Sequence, residues 1–300
     1  MEAPMFSVAV PATTANIGPG YDSVGMALAL YMTVAVTASH AWAVHYDGEE
    51  YAGLATGTDN LIVQTIQDVA ARHGKEVEPH VLQVHSTIPL GKGLGSSATA
   101  IAAGIVIAER LLGVTFTSIE KARIGSELEG HSDNVTAALL GGVTVTYYTE
   151  DTMEVIQLPK PSIGAVLLVP PQALKTEESR GLLPLELSHS EAAAGSAASN
   201  MLVTAIATGD WELAGRMMEK DVFHEPHRKR LFPSFDEIRT VCHSLGAYGM
   251  TISGAGPSLF VAVKDGEETV IAQKLKEQFP YYQAIALQPA EEGARVLERV

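Results

Sequence analysis

The chain has 300 residues, 46% hydrophobic, 6% aromatic and 18% charged, a globular composition that excludes disorder over most of its length and allows two domains. Its 20 Lys and Arg against 35 Asp and Glu leave a net charge of −15, which opposes binding to a nucleic-acid backbone or to an anionic membrane surface. The lone cysteine, Cys242, excludes an intramolecular disulfide and a cysteine zinc site; with no basic or apolar leader and no long apolar run, a cytoplasmic protein is expected.

In chain order, residues 6–10 read as a strand that ends at Pro11, and residues 28–38 as a second strand. Residues 39–58 carry the turn residues of a hairpin and loop. Leu61, Ile62, Ile66, Val69 and Ala70 fall at helical spacing, which predicts a helix over 60–72 with Gly74 as its stop. Residues 81–88 alternate as a strand, and 98–112 are apolar nearly all round, as a buried helix is. An amphipathic helix over 118–129 has Ser118 as its candidate N-cap; a helical piece at 134–140 ends at Gly141 and Gly142 before a strand at 143–148. Acidic residues and prolines weaken the pattern over 150–161 and place a domain boundary near 157, giving units 1–157 and 158–300. The second unit reads as a strand at 163–169, helices between 177 and 245, strands at 248–253 and 258–263, a helix at 267–278 and a strand near 282–287. That is a ferredoxin-like order with a helical insertion, and an α+β protein overall.

Between the strand at 81–88 and the buried helix lies Pro89-Leu-Gly-Lys-Gly-Leu-Gly-Ser-Ser-Ala-Thr-Ala100. Glycines let a backbone approach a polyphosphate, hydroxyls add donors or a metal ligand, and the helix N-terminus adds partial positive charge. The spacing is neither a Walker A loop nor a dinucleotide fingerprint. A tight turn lined with small residues for helix packing would look similar.

Two further loops, Pro11-Ala-Thr-Thr-Ala-Asn-Ile-Gly-Pro-Gly-Tyr-Asp-Ser-Val-Gly25 and Thr251-Ile-Ser-Gly-Ala-Gly-Pro-Ser258, flank this one in the chain. The three in this order resemble the motifs of the GHMP small-molecule kinases, the superfamily of galactokinase, homoserine kinase and mevalonate kinase. Glu129-Gly-His-Ser-Asp-Asn134 is similar to the homoserine-kinase branch, with Ser132 where proline is common; Glu225-Pro-His-Arg-Lys-Arg-Leu231 and Gly293-Ala-Arg-Val296 also match that branch.

The resemblance implies a two-domain fold: an N-terminal ATP-binding domain with a left-handed-type βαβ phosphate-loop unit, and a ferredoxin-like C-terminal domain. It implies ATP and Mg²⁺, with L-homoserine as the small-molecule acceptor for threonine synthesis, and is compatible with a homodimer. For the nucleotide it implies Asn60, the loop residues Pro89, Leu90, Gly91, Lys92, Gly93, Leu94, Gly95, Ser96, Ser97, Ala98 and Thr99, and Gly254 with Gly256. Lys92 itself reads as solvent-facing. For the acceptor it implies Asn16, Asp22, His131, Asp133 and Asn134, with Arg180 and Arg228 for a carboxylate and Arg230 a near competitor. Asn16 and Asp22 are equally explained as Asx-turn residues, and Asp133 as a helix cap. Ser97 and Glu127 are the expected metal ligands, because Glu129, two residues along the same helix, should point away; both glutamates also fit an exposed helix end. Asn16, Asn134, Ser97 and Glu127 make up the expected catalytic set. A kinase for another small alcohol, or a non-catalytic amino-acid sensor on the same fold, are the alternatives.

Overall fold

The computed structural model describes residues 4–174 and 176–297. β1 (Phe6–Ala15) and β2 (Val24–Ala38) pair antiparallel, and the ladder slips where Pro11 faces Tyr31 and Ala12 faces Leu28. The two unmatched residues, Ala29 and Leu30, bulge from β2, while β1 runs on through Pro11 instead of ending there and continues to Ala15, into the first glycine motif. β3 (Ala43–Tyr46) lies parallel to β4 (His80–Ser86), with α1 (Leu61–Arg72) crossing between them. The segment expected to form a hairpin therefore begins a βαβ unit, because a parallel partner demands a crossover that no local turn signal announces.

α2 (Ser96–Leu112), α3 (Ser118–Glu129) and α4 (Asp133–Leu140) complete this half with α1. α2 is buried almost throughout, and a Cβ on Gly104 would lie 2.5 Å from Thr65 of α1, so the absent side chain sets how closely the two helices approach. The cap of α3 is Thr117, one residue before the expected Ser118, in a reciprocal capping box with Glu120. β5 (Val143–Tyr148) and β6 (Met153–Leu158) form a hairpin where a loss of pattern was expected. Of β6 only Met153 is buried, so an exposed edge strand carries little alternation to read. Besides β1, the long β2 serves two partners, β5 through Val24 to Met26 and β4 through Met32 to Ala38.

β7 (Ile163–Val169) opens the second sheet, followed by α5 (Thr176–Arg180), α6 (His189–Thr208), α7 (Trp211–Met218), α8 (Glu225–Arg228) and α9 (Phe235–Ser244). β8 (Gly249–Ile252), β9 (Leu259–Lys264), α10 (Glu268–Gln278) and β10 (Gln283–Leu287) complete it. The strand order β10-β7-β9-β8, all antiparallel, is the ferredoxin-like arrangement. β7 is buried on both faces. Val166 and Leu168 pack with Ile238 of α9 and Leu275 of α10, while Leu167 and Val169 join a core that also holds Leu202 of α6 and Val8 and Val34 of the first sheet. One apolar core therefore runs across both halves, and a second lies within the C-terminal half.

The chain end then leaves the second unit. β11 (Arg295–Leu297) pairs with Ser7 to Ala9 of β1, and the tail is held by Ala290 N–H to Ala27 O at 2.9 Å and Ala294 N–H to Ala138 O at 2.8 Å. A Cβ on Gly293 would lie 2.3 Å from Leu139 O, so this glycine is a close-approach residue. The tail was expected within 158–300; a three-residue strand is too short to show a period.

Candidate active site

The three glycine loops converge on one cleft between the halves, with a cavity of about 690 Å³, within the ordinary range for a small-molecule site. Gly95 caps α2 in the left-handed conformation at φ 72°, which leaves the first backbone N–H groups of the helix without intrahelical partners and facing the cleft. A Cβ on Gly95 would lie 2.1 Å from Thr13 Oγ1, and one on Gly93 2.5 Å from both Ser253 O and Gly256 O. Those two glycines are required by the loops that pack on them. Thr13 N–H donates to Leu94 O at 3.1 Å, Ser258 N–H to Lys92 O at 3.3 Å, and Ser253 Oγ to Gly93 O at 2.7 Å. The first and third motifs thus brace the second.

Leu90, Gly91, Lys92, Gly93, Gly95, Ser96 and Ser97 line the cavity. Leu94, Ala98 and Thr99 turn into the core instead, and Thr99 Oγ1 donates to Gly95 O at 2.7 Å. Pro89 also lies off the cavity lining; its carbonyl accepts from Ser96 Oγ at 3.3 Å. Gly254 lines the cavity, whereas Gly256 packs against Phe232, 2.7 Å from where its Cβ would be. Asn60 lines it while capping α1, accepting from Ile62 N–H at 3.0 Å and donating to Tyr46 and Ala55. Lys92 is not a free solvent-facing lysine. Its Nζ donates to Pro171 O at 2.6 Å across the cleft mouth, and burial lowers its pKa.

Ser97 Oγ donates to Glu129 Oε2 at 2.8 Å, and Glu129 lines the cavity. Glu127, the expected ligand, faces the other way and pairs with Arg72, so the carboxylate that stands beside Ser97 is that of Glu129. Glu129 does not point away as expected, because the last turn of α3 presents it, next to the Gly130 cap, toward the start of α2. Burial pushes the Glu129 carboxyl above its usual range, against the opposing pull of Ser97 and His131. Burial also disfavours the charged form of His131, but the Asp133 carboxylate, 2.8 Å from Nδ1, and Glu129, 4.0 Å from Nε2, outweigh it and raise the pKa. Asp133, 2% exposed, accepts the Asn134 N–H at 2.7 Å, and Asn134 Oδ1 accepts from Thr13 at 2.8 Å.

Asn16 takes positive φ (68°); its Oδ1 accepts from Asp22 N–H at 2.9 Å and its Nδ2 donates to Gly254 O at 3.0 Å. It closes the loop as an Asx residue would and lines the cavity as well. Asp22 and Arg180, expected to hold opposite ends of an acceptor, hold each other, with Nη2 to Oδ1 at 2.8 Å and Nη1 to Oδ2 at 3.1 Å. Arg228 is 1% exposed and, among the described residues, makes no ion pair with a carboxylate; Nε donates to Ser179 O at 3.3 Å and Nη1 to Gly254 O at 3.4 Å. Burial works against its charge, and the like charge of Arg180 adds to the effect. Arg230 is exposed and lies off the cavity.

Arg228 is set in place from behind. Asp221 accepts the N–H groups of Phe223, His224 and Glu225 at 2.7, 3.0 and 2.6 Å and so fixes the turn that leads into α8, while Glu225 is gripped by Arg239 at 2.9 and 2.6 Å. His224 is buried, with Nε2 against Gly18 O at 3.1 Å. Tyr21, Ser179 and Ser253 were not singled out from the sequence. Tyr21 and Ser253 lie inside quoted motifs, but nothing in residue type distinguishes them from turn residues.

Family models match on both sides of the cleft: GHMP kinases N terminal domain over residues 60–142 and GHMP kinases C terminal over 202–280. The chain is 40% identical to a homoserine kinase of Bacillus velezensis, covering 98% of this chain and 95% of that one. It is also 40% identical to a homoserine kinase of Halalkalibacterium halodurans, covering 97% and 94%. The crystal structure of homoserine kinase from Cytophaga hutchinsonii matches with a TM-score of 0.86 at 27% identity over 97% of each chain. A mevalonate kinase structure, at TM-score 0.71 and 15% identity, shares the fold. With both family domains matched around the phosphate-loop cleft and the identity carried over nearly its whole length, the chain belongs to the GHMP kinases, among the homoserine kinases.

Proposed function

We propose that the chain phosphorylates L-homoserine with ATP, giving O-phospho-L-homoserine for threonine synthesis. The acceptor hydroxyl attacks the γ-phosphorus in line, the bond from that phosphorus to the β-bridging oxygen breaks and ADP leaves. The hydroxyl proton passes to a phosphate oxygen or to water, so no strong base is required. Among the described residues, the hydrogen-bond partners of Asp133 are His131 and Asn134, and none is a lysine.

The observation that carries the acceptor assignment is Arg228, a buried guanidinium with no carboxylate partner among the described residues, facing the cavity that the phosphate loop also lines. A carboxylate on the acceptor is the group it lacks. Asp22, released when Arg180 turns to the same carboxylate, takes the ammonium group. His131, Asp133 and Asn134 position the hydroxyl, and the free N–H groups at the start of α2 receive the phosphates. Ser97 and Glu129 would hold Mg²⁺: two hard oxygens in mutual contact suit an ion that keeps several waters and takes its remaining ligands from phosphate. When bound, Mg²⁺ neutralises charge on the β- and γ-phosphates.

A coupled ADP-release assay with L-homoserine, serine, threonine, mevalonate and galactose tests the proposal. Homoserine should lead. Mevalonate or galactose in front would assign another small-alcohol kinase, and tight homoserine binding without turnover would assign a sensor.

A further inference from the structure

Tyr21 stands where the two arginines meet. Its ring centroid lies 5.8 Å from the guanidinium carbon of Arg228 and 5.9 Å from that of Arg180. Its hydroxyl accepts a hydrogen bond from Arg180 Nη1 at 3.0 Å. Phe223, stacked at 6.3 Å, and His224, at 5.6 Å, back the ring, and Tyr21 itself lines the cavity.

A cation as buried as Arg228 needs more than two long hydrogen bonds to carbonyls at 3.3 and 3.4 Å, and Arg180 nearby repels it. The negative face of an aromatic ring supplies attraction without supplying a carboxylate that would close the site. An aspartate in this place would satisfy both arginines and leave nothing for a ligand, whereas an aliphatic residue would hold neither.

We propose that Tyr21 is the positioning residue that makes the cleft selective for an acceptor bearing a carboxylate. Its ring holds Arg228 and Arg180 as one clamp, and its hydroxyl steers Arg180 so that the guanidinium exchanges Asp22 for the incoming carboxylate. This rests on the acceptor being an amino acid, as proposed above.

The test is calorimetric binding of L-homoserine and of L-homoserinol, in which a hydroxymethyl group replaces the carboxylate, to wild type, Tyr21→Leu and Tyr21→Phe, with thermal unfolding of each. Tyr21→Leu should weaken homoserine about tenfold and homoserinol by less than about twofold, the size expected for loss of desolvated cation–π contacts. Tyr21→Phe keeps the ring and should weaken homoserine about threefold. Equal weakening of both ligands, or no weakening by Tyr21→Leu, overturns the proposal, as does a wild type that binds the two ligands equally. Should Tyr21→Leu fail to fold, the same comparison in Tyr21→Phe decides. ADP release is measured in parallel: a wild type that prefers homoserine over homoserinol yet releases no ADP sinks the kinase reading and leaves the role of Tyr21 standing.

Discussion

Glu129→Gln and Glu127→Gln form a matched pair, because both sit on the last turn of α3 and only one faces the cleft. Glutamine keeps the shape of Glu129 and still accepts the Ser97 hydroxyl, now at 2.8 Å, so the substitution removes little except charge. Loss of one charge-stabilising group from a phosphoryl-transfer site is expected to lower kcat about 10²- to 10³-fold. Stability should move the other way. Burial raises the Glu129 pKa, so its ionised form disfavours the unliganded fold, and the stability its protonation contributes appears as pH falls through the raised folded-state pKa and is full below the ordinary carboxylate value. Glu129→Gln should therefore leave the unfolding temperature of the ligand-free enzyme unchanged or higher, and flatten its rise at acid pH. Glu127 pairs with Arg72, each side chain 34% exposed, and such a surface pair contributes at most about 1 kcal/mol. Glu127→Gln should keep kcat within about twofold and lower stability slightly. Coupled ADP release across a Mg²⁺ titration, with calorimetric unfolding, reads both effects. If Glu127→Gln is the inactive variant and Glu129→Gln is silent, the placement of the metal carboxylate is wrong.

Arg228→Ala should raise the homoserine KM by about 30-fold or more and leave the ATP KM nearly unchanged, since a desolvated charge pair is worth about 2–5 kcal/mol; initial-rate kinetics with Arg230→Ala as the exposed control would expose a misassigned arginine if Arg230 alone mattered. Gly93→Ala should abolish phosphate-loop function while the protein still folds, because φ 72° and two carbonyl oxygens 2.5 Å from the new Cβ force the loops apart; unaltered ATP binding by fluorescence titration would refute it. His224 is held neutral mainly by burial, with Nε2 on Gly18 O and Nδ1 without a hydrogen-bond partner, so its folded pKa lies below the ordinary 6.5. The unfolded chain then binds the proton more tightly, and stability should be full above about pH 6.5 and decline as pH falls below it. His224→Gln should flatten that slope in unfolding scans between pH 8 and 5.5, and an unchanged slope would assign the acid sensitivity elsewhere.

Much of the machinery was legible because it is local. Gly93 and Gly95 must be glycine for reasons of backbone conformation, and a strand followed by small residues and a buried helix presents N–H groups whatever surrounds it. The order of strands and helices in the second half, and hence its ferredoxin-like sheet, followed from periodicity over segments long enough to show one. What failed was short, exposed or set by partners far away in the chain: β6 and β11 have too few buried positions to alternate visibly, and the direction of β3 depends on β4 across a helix.

At the site the division is sharper. Residue types and spacing pointed to a glycine-rich anion loop opening a helix and to two glutamates at the end of α3, and the motif resemblance added the arginines. They did not determine which carboxylate or arginine faces the cleft, because helix phase at a terminus depends on how the helix is docked. Only the packed molecule turned Glu129 to Ser97, gave Glu127 to Arg72, buried Arg228 and exposed Arg230. Only the packed molecule paired Asp22 with Arg180, 158 residues apart in sequence, and set Tyr21 between the arginines. Such contacts join residues from both halves of the chain, and their geometry is fixed by the shared apolar interior that brings the halves together.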